Sequence, residues 1–231
     1  IPTVSGASGN NITFGSYGTG NKPIITGTQV VTGWTNIGGN IWQKNWTGSN
    51  KITEVFINGK AQIVGRFPKY TAPNKGYYEA DAAGSTTITD SALSGSVNWT
   101  GAEIVIRTEA WVFDMGRVTS LSGTTVTFDR SRMSYSPFVN SGYFFQHDPR
   151  ACTVQGEWSY DKVSKVISLY STTDPNAMTV EVTAYAKLFD LNNKDYYTFD
   201  NLHLRGVSEY LIYTASVNSL IVQNCELSDA M

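Results

Sequence analysis

Charge is scarce in this chain. Lys and Arg total 17 and Asp and Glu 19 among 231 residues, a formal net charge of -2. There is no basic run and no Arg-rich patch, so nucleic acid is not an expected partner. Apolar runs never exceed a few residues, too short for a transmembrane helix. The opening stretch IPTVSGASGNN has neither a charged n-region nor an apolar h-region, so no signal peptide is expected within this segment, as in a mature or trimmed product. Histidine and cysteine are down to two residues each. Cys152 and Cys225 lie far apart and read as buried thiols, with a disulfide left open. C-x-x-C, H-E-x-x-H and any Cys/His cluster are absent, so no zinc site is expected. Strong helix formers rarely cluster.

What the chain does have favours strands. It holds 21 Gly, 13 Tyr, 10 Phe and 6 Trp, with abundant Thr, Ser, Asn, Val and Ile. Low charge with Thr, Asn, Gly and aromatics is common in extracellular β proteins. Strands are predicted at 11–14 and 23–26, and two more around a Gly38-Gly39-Asn40 turn. The clearest hairpin is VFINGKAQIV, where Asn58-Gly59 supplies the positive φ of a type I′ turn. Residues 69–98 read as a polar surface excursion. In residues 103–108, Glu103, Val105 and Arg107 alternate with Ile104, Ile106 and Thr108. GEWSYDKVSKVISLYS reads as a hairpin with strands at 158–160 and 166–170.

The last fifty residues repeat. Leu188 matches Leu211, Thr198 matches Ile221, Phe199 matches Val222, Asn201 matches Asn224 and Leu204 matches Leu227, always 23 positions apart. A gap-free period in the low twenties with short strands is a coil length for a parallel β-helix. Coils stack at strand spacing, about 4.8 Å, so equivalent residues form columns. Asn201 and Asn224 are expected to stack and hydrogen-bond along the axis. Leu202/Cys225 and Leu204/Leu227 are expected inward, with His203/Glu226 and Arg205/Ser228 outward.

The ordered series NITFGSYGTGNKPIITG, VFINGKAQIVGRFP, GYFFQHDPR, GEWSYDKVSKVISLY and NLHLRG…SLIVQNCEL resembles the pectin-lyase-like superfamily of right-handed parallel β-helix proteins. More narrowly, it is similar to secreted β-helix proteins of Bacteroidota. The resemblance implies an all-β fold: residues 1–29 in N-terminal β-helix coils, 30–177 an inserted irregular β-hairpin region, and 178–231 regular coils of about 23 residues. It implies a segment of a longer bacterial protein, secreted or at the cell surface, whose remaining polypeptide caps the helix. The implied function is a polysaccharide-active enzyme, lyase or hydrolase, with catalytic residues mostly beyond residue 231 and calcium as a cofactor if it is a lyase. The other reading is a non-catalytic β-helix for adhesion or surface assembly that binds glycan or protein.

Two site candidates follow. By the repeat register, Phe189/Ile212 and Leu191/Thr214 face inward. Lys187, Asp190, Glu209, Tyr210 and Tyr213 are then candidates for the edge of a polysaccharide groove, the alternative, which is preferred, being an ordinary solvated sheet face. The second candidate lies in FFQHDPRACTVQGEWSY. Asp148 and Glu157 could flank a glycosidic bond, and His147 with Arg150 could serve an elimination. The structural alternative, which is preferred, has Asp148-Pro149 turn the chain, Arg150 pin that turn and Trp158 pack beneath it. The six tryptophans are expected mainly in the core, with Trp46 and Trp99, flanked by polar residues, the best candidates for a sugar platform. Asn11, Asn45 and Asn98 open N-x-T sequons.

Overall fold

The structure is a computed structural model that describes residues 2–48 and 51–230. It is all-β, with helical geometry confined to turns of three or four residues. The chain divides into two compact units: Ile1–Gly33, Thr47–Gln62 and Pro175–Met231 form the first, and Trp34–Trp46 with Ile63–Asp174 the second. No described helix is long and apolar enough to cross a membrane.

In the first unit, the 23-residue period becomes strand pairing. Strand Tyr197–Asp200 lies parallel between Ile12–Gly15 and Leu220–Gln223, with Thr198 opposite Ile221 and Phe199 opposite Val222. His203–Val207 lies parallel between Ile24–Thr26 and Glu226–Ala230, with Leu204 opposite Leu227. Lys187–Asp190 pairs parallel with Tyr210–Tyr213. Equivalent apolar residues therefore stack inward. Phe14 lies on Phe199 with ring centroids 5.4 Å apart and nearly coplanar, and Leu191, Tyr197, Leu202, Leu204 and Val207 are buried around them. A fourth sheet is antiparallel: Thr28–Val30, Val180–Thr183, Val55–Ile57 and Lys60–Ala61. Its Asn58-Gly59 hairpin has φ of 50° and 78°, as a type I′ turn needs.

Among the described residues, parallel pairing of strands is confined to these three short sheets, with one isolated parallel bridge at Val64–Trp158. Among the described residues, most strand pairings are antiparallel, and no parallel β-helix is shown. Several expected orientations also change. Cys225 packs half-buried on the core as expected, but Leu227 is 52% exposed, because Glu226–Ala230 is the edge of its sheet, while Leu204 sits on the middle strand. Thr214 is exposed, whereas Phe189 packs on Phe14 and Phe199. Arg205 leaves the sheet on the outer side yet is largely covered, bonded to Glu181 at 2.8 Å and set over the Phe56 ring. The two asparagines do not bond to each other. Asn201 donates to Ser16 Oγ at 2.7 Å and Asn224 to Asp200 Oδ1 at 2.9 Å. What they share is a left-handed backbone, φ 55° and 54°, which asparagine tolerates better than most residues.

The second unit is antiparallel throughout its named strands. Glu103–Glu109 sits at the centre of an eight-stranded sheet, between Val112–Ser122 and Gly142–Gln146. A four-stranded sheet joins Trp158–Asp161, Val166–Tyr170, Ile41–Asn45 and Thr35–Gly38. Residues 69–98 are not a surface excursion. They add strands Tyr78–Glu79, Ala82–Ala83 and Thr87–Thr89 to the large sheet, and they bury Ala80, Ile88 and Leu93 in its core. Trp99 is in that core as well, stacked on Phe145 at 5.0 Å and Phe67 at 5.1 Å. Trp46 and Trp99 are 6% and 1% exposed, so neither is a sugar platform.

Candidate functional site

A strongly charged cavity lies in the second unit, where three strands and two turns converge. Glu103 opens its strand opposite Gln146 on one side and Arg117 on the other. His147 follows Gln146 directly, at a φ of 54° that turns the chain out of the sheet. Arg132 enters beside Met115, and the turn after Trp158–Asp161 brings in Lys162. Together they line a cavity of about 180 Å³. Its three carboxylates, Glu103, Asp129 and Asp161, face three cations, Arg117, Arg132 and Lys162.

Glu103 is buried at the centre of this array. Gln146 donates to its Oε1 at 2.8 Å, Arg132 pairs with Oε2, and Lys162 Nζ lies 3.5 Å from Oε2. Burial alone would push its carboxyl up. The hydrogen bonds from Arg132 and Gln146, with the fields of His147 and Lys162, outweigh it and hold the group near 2. His147 behaves in the opposite sense to a base. Burial, reinforced by Lys162 and Arg132 and opposed by Glu103, lowers it to about 4. The Tyr160 N–H donates to Nδ1 at 3.4 Å, so the neutral ring carries its proton on Nε2, 3.9 Å from Glu103 Oε1. With Nδ1 occupied and Nε2 protonated, His147 has no lone pair to offer a substrate. Arg117 is in turn bonded to Asp161 at 3.0 Å, and Asp161 caps the 161–164 turn through Val163 N and Ser164 Oγ. The cavity is an ion-paired, charge-balanced pocket suited to holding a polar group. It is not poised for proton transfer.

The sequence-predicted set around His147 is not brought together. Asp148 caps the Pro149–Ala151 turn. Its Oδ1 accepts from Arg150 N at 2.9 Å and Arg150 Nε at 2.7 Å, and Arg150 also holds the carbonyls of Asn98 and Thr100. Glu157 is occupied separately, by Lys69 and by the N–H groups of Thr153 and Val154 at 2.7 and 3.0 Å. His147 points to Glu103 instead. The stretch is the pinned turn of the structural reading, with Trp158 1% exposed beside it. Glu103, Arg132 and Lys162 were missed by the sequence reading, as was Glu54. The Glu54 carboxyl is raised by burial and by Asp229, and its Oε2 is buried without a partner among the described residues.

In the first unit, Lys187, Asp190, Tyr210 and Tyr213 do meet. Lys187 Nζ stands 3.5 Å above the Tyr213 ring and 3.3 Å from Asp190 Oδ2, and the two tyrosine rings are 5.2 Å apart. Asp190 is held low, first by the Asn192 N–H and then by Lys187. Tyr210 is 49% exposed. Glu209 is exposed next to Tyr210 and shares none of these contacts. Cys152 and Cys225 are free thiols. Among the described residues, no group of three or more His, Cys, Asp or Glu could hold a metal ion, so no ligand set for calcium is identified there.

No family model matches the sequence, and no curated protein matches it. Solved structures do. The fold is similar to that of a chain titled "Glycoside hydrolase", with a TM-score of 0.60 at 16% identity, covering 80% of this chain and 37% of that one. A xylose complex of XylC matches at a TM-score of 0.40 and 12% identity, covering 95% of this chain and 32% of that one. The chain thus spans about a third of the length of either protein, and at 16% identity the likeness to the first is one of fold.

Proposed function

We propose that this chain is the glycan-binding part of a polysaccharide-active protein, in which the three parallel sheets belong to a right-handed parallel β-helix of the pectin-lyase-like kind. The observation that carries the reading is the Lys187–Asp190–Tyr210–Tyr213 cluster, set in register on neighbouring parallel strands. Two adjacent partly exposed phenol rings offer apolar faces to a sugar ring, and a lysine and a carboxylate at their edge can bond its hydroxyls. The fold likeness to a glycoside hydrolase supports it. The protein is taken to act outside the cell as a hydrolase or lyase, with its reacting groups in parts of the longer protein that this chain does not span.

One observation favours a second reading, a β-helix that binds glycan without turnover. Within this chain the stretch that looked reactive is structural, with Asp148 and Glu157 bound to Arg150 and Lys69 and Glu103 held near 2 by its partners. Affinity electrophoresis in gels containing soluble polysaccharides tests the binding claim. Retardation is expected, and Tyr213→Ala is expected to weaken it about tenfold. Unretarded migration in every gel would overturn the proposal. Incubation of the whole protein with any retarding polysaccharide separates the readings. New 235 nm absorbance marks a lyase, new reducing ends without it a hydrolase, and neither product marks the non-catalytic form.

A further inference from the structure

We propose that the second unit carries its own saccharide site, a cleft between the Pro73–Gly76 turn, the 109–113 hairpin tip and the 138–142 segment, selective for a short uncharged oligosaccharide. It rests on the carbohydrate reading above but on different residues. The cleft encloses about 500 Å³, within the roughly 300–1000 Å³ of small-ligand sites. Its apolar wall is aromatic: Tyr77, Phe113 and Phe138. Phe113 and Phe138 are 47% and 52% exposed, unusual for phenylalanines outside a binding surface. Trp111, at the same hairpin tip, is 76% exposed.

The wall is built in advance. Tyr77 stacks on Phe113 at 6.2 Å and meets Phe144 edge-on at 5.7 Å. Arg66 backs both rings, 3.6 Å above Phe144 and 5.1 Å above Tyr77, and bonds the Gly76 carbonyl. Gly142 leaves room for the tyrosine, since a Cβ there would come within 3.2 Å of its ring. A platform fixed before binding loses little entropy on binding.

The rim is polar and has bonding capacity to spare. Among the described residues, Glu109, Lys75 and the Asn140 side chain make no hydrogen bond or ion pair, and all three line the cleft. Lys75 and Asn140 stand on left-handed backbone, φ 54° and 68°, in turns that hold them at the rim. Lys75 and Arg107 balance Glu79 and Glu109, so the cleft has no net charge to attract a polyanion. Ring faces beside unpaired amide, carboxylate and ammonium groups match a pyranose, which presents C–H faces and hydroxyls that both donate and accept.

Affinity electrophoresis of the chain in arabinoxylan, mixed-linkage β-glucan, galactomannan and polygalacturonate gels tests the site. The expected result is retardation by at least one neutral polymer that survives Tyr213→Ala in part and falls at least tenfold in Phe113→Ala and Phe138→Ala. Both rings are about half exposed, so truncating them leaves the core intact. Should either variant fail to fold, the near-isosteric Glu109→Gln, expected to lose several-fold in affinity, carries the test. Retardation unchanged by all the cleft variants but abolished by Tyr213→Ala would refute this site and leave the proposed function standing. So would retardation by polygalacturonate alone. Unretarded migration in all four gels would refute both.

Discussion

His147 should titrate far below an ordinary histidine, and its titration should shape the acid stability of the protein. Its ring is 15% exposed, faces Arg132 and Lys162 as well as Glu103, and sits near 4 in the folded chain against 6.5 when free. Between those values the unfolded chain binds a proton at this residue and the folded chain does not. Stability must therefore fall as pH drops from 6.5 to about 4. At 1.36 kcal/mol per pH unit the loss is about 3 kcal/mol. Glu103 extends it. Its carboxylate, held near 2 against 4.5, contributes stability that is full above 4.5 and is lost as pH falls toward 2. The assay is a long-range imidazole NMR titration, assigned with His147→Asn, a residue that tolerates the φ of 54°. The Nε2–H tautomer should persist down to about pH 4. Melting temperatures of wild type and variant should converge in slope below pH 4 and differ above it, the variant being flatter between 6.5 and 4. An imidazole that titrates near 6.5, or an unchanged pH slope in His147→Asn, would show that burial of this ring is not what governs it.

Trp158→Ala removes a side chain 1% exposed and should cost about 3–5 kcal/mol, read by chemical denaturation. Cys152, buried and pushed up to about 12 chiefly by desolvation, should resist a disulfide-exchange reagent at pH 8 in the native protein, while the half-buried Cys225 reacts first. Asn201→Ala should cost about 1–2 kcal/mol from its left-handed backbone, and Asn201→Gly clearly less. Equal losses would mean that the bond to Ser16, not the backbone, sets the residue's worth.

Much of the fold was legible because it is written in repeated or self-announcing signals. The offset of 23 is visible from Leu188 to Leu227, and parallel pairing realises it residue for residue, Thr198 to Ile221 and His203 to Glu226. Asn58-Gly59 announces its hairpin. Residues 69–98 gave no such signal. Their strands are two or three residues long, too short for any period, and single side chains such as Ile88 and Leu93 carry the burial. The candidate cavity was missed for a different reason. Alternation sets Ile104, Ile106 and Thr108, all fully buried in the structure, on one face and Glu103 on the other. Periodicity says which face a residue takes and nothing about what covers that face. Here His147, Arg132 and Lys162, from three distant stretches, cover it.

The paired asparagines show the same division from the opposite side. Equal letters at equal register suggested equal side-chain bonds, a ladder of amides. Asn201 and Asn224 instead bond to different partners, Ser16 and Asp200, and are alike only in φ. A repeated coil has to turn at the same place each time, and that turn asks for a left-handed residue whatever lies beside it. What recurs at 23 residues is therefore the demand of the backbone. The side-chain partners are set by whichever residues flank each coil, here Ser16, just after Ile12–Gly15, for Asn201, and Asp200, at the end of Tyr197–Asp200, for Asn224. The same holds at the Lys187–Tyr213 cluster. The register brings those residues side by side, and the chemistry they offer comes from the particular pair that meets there, a lysine over a phenol ring.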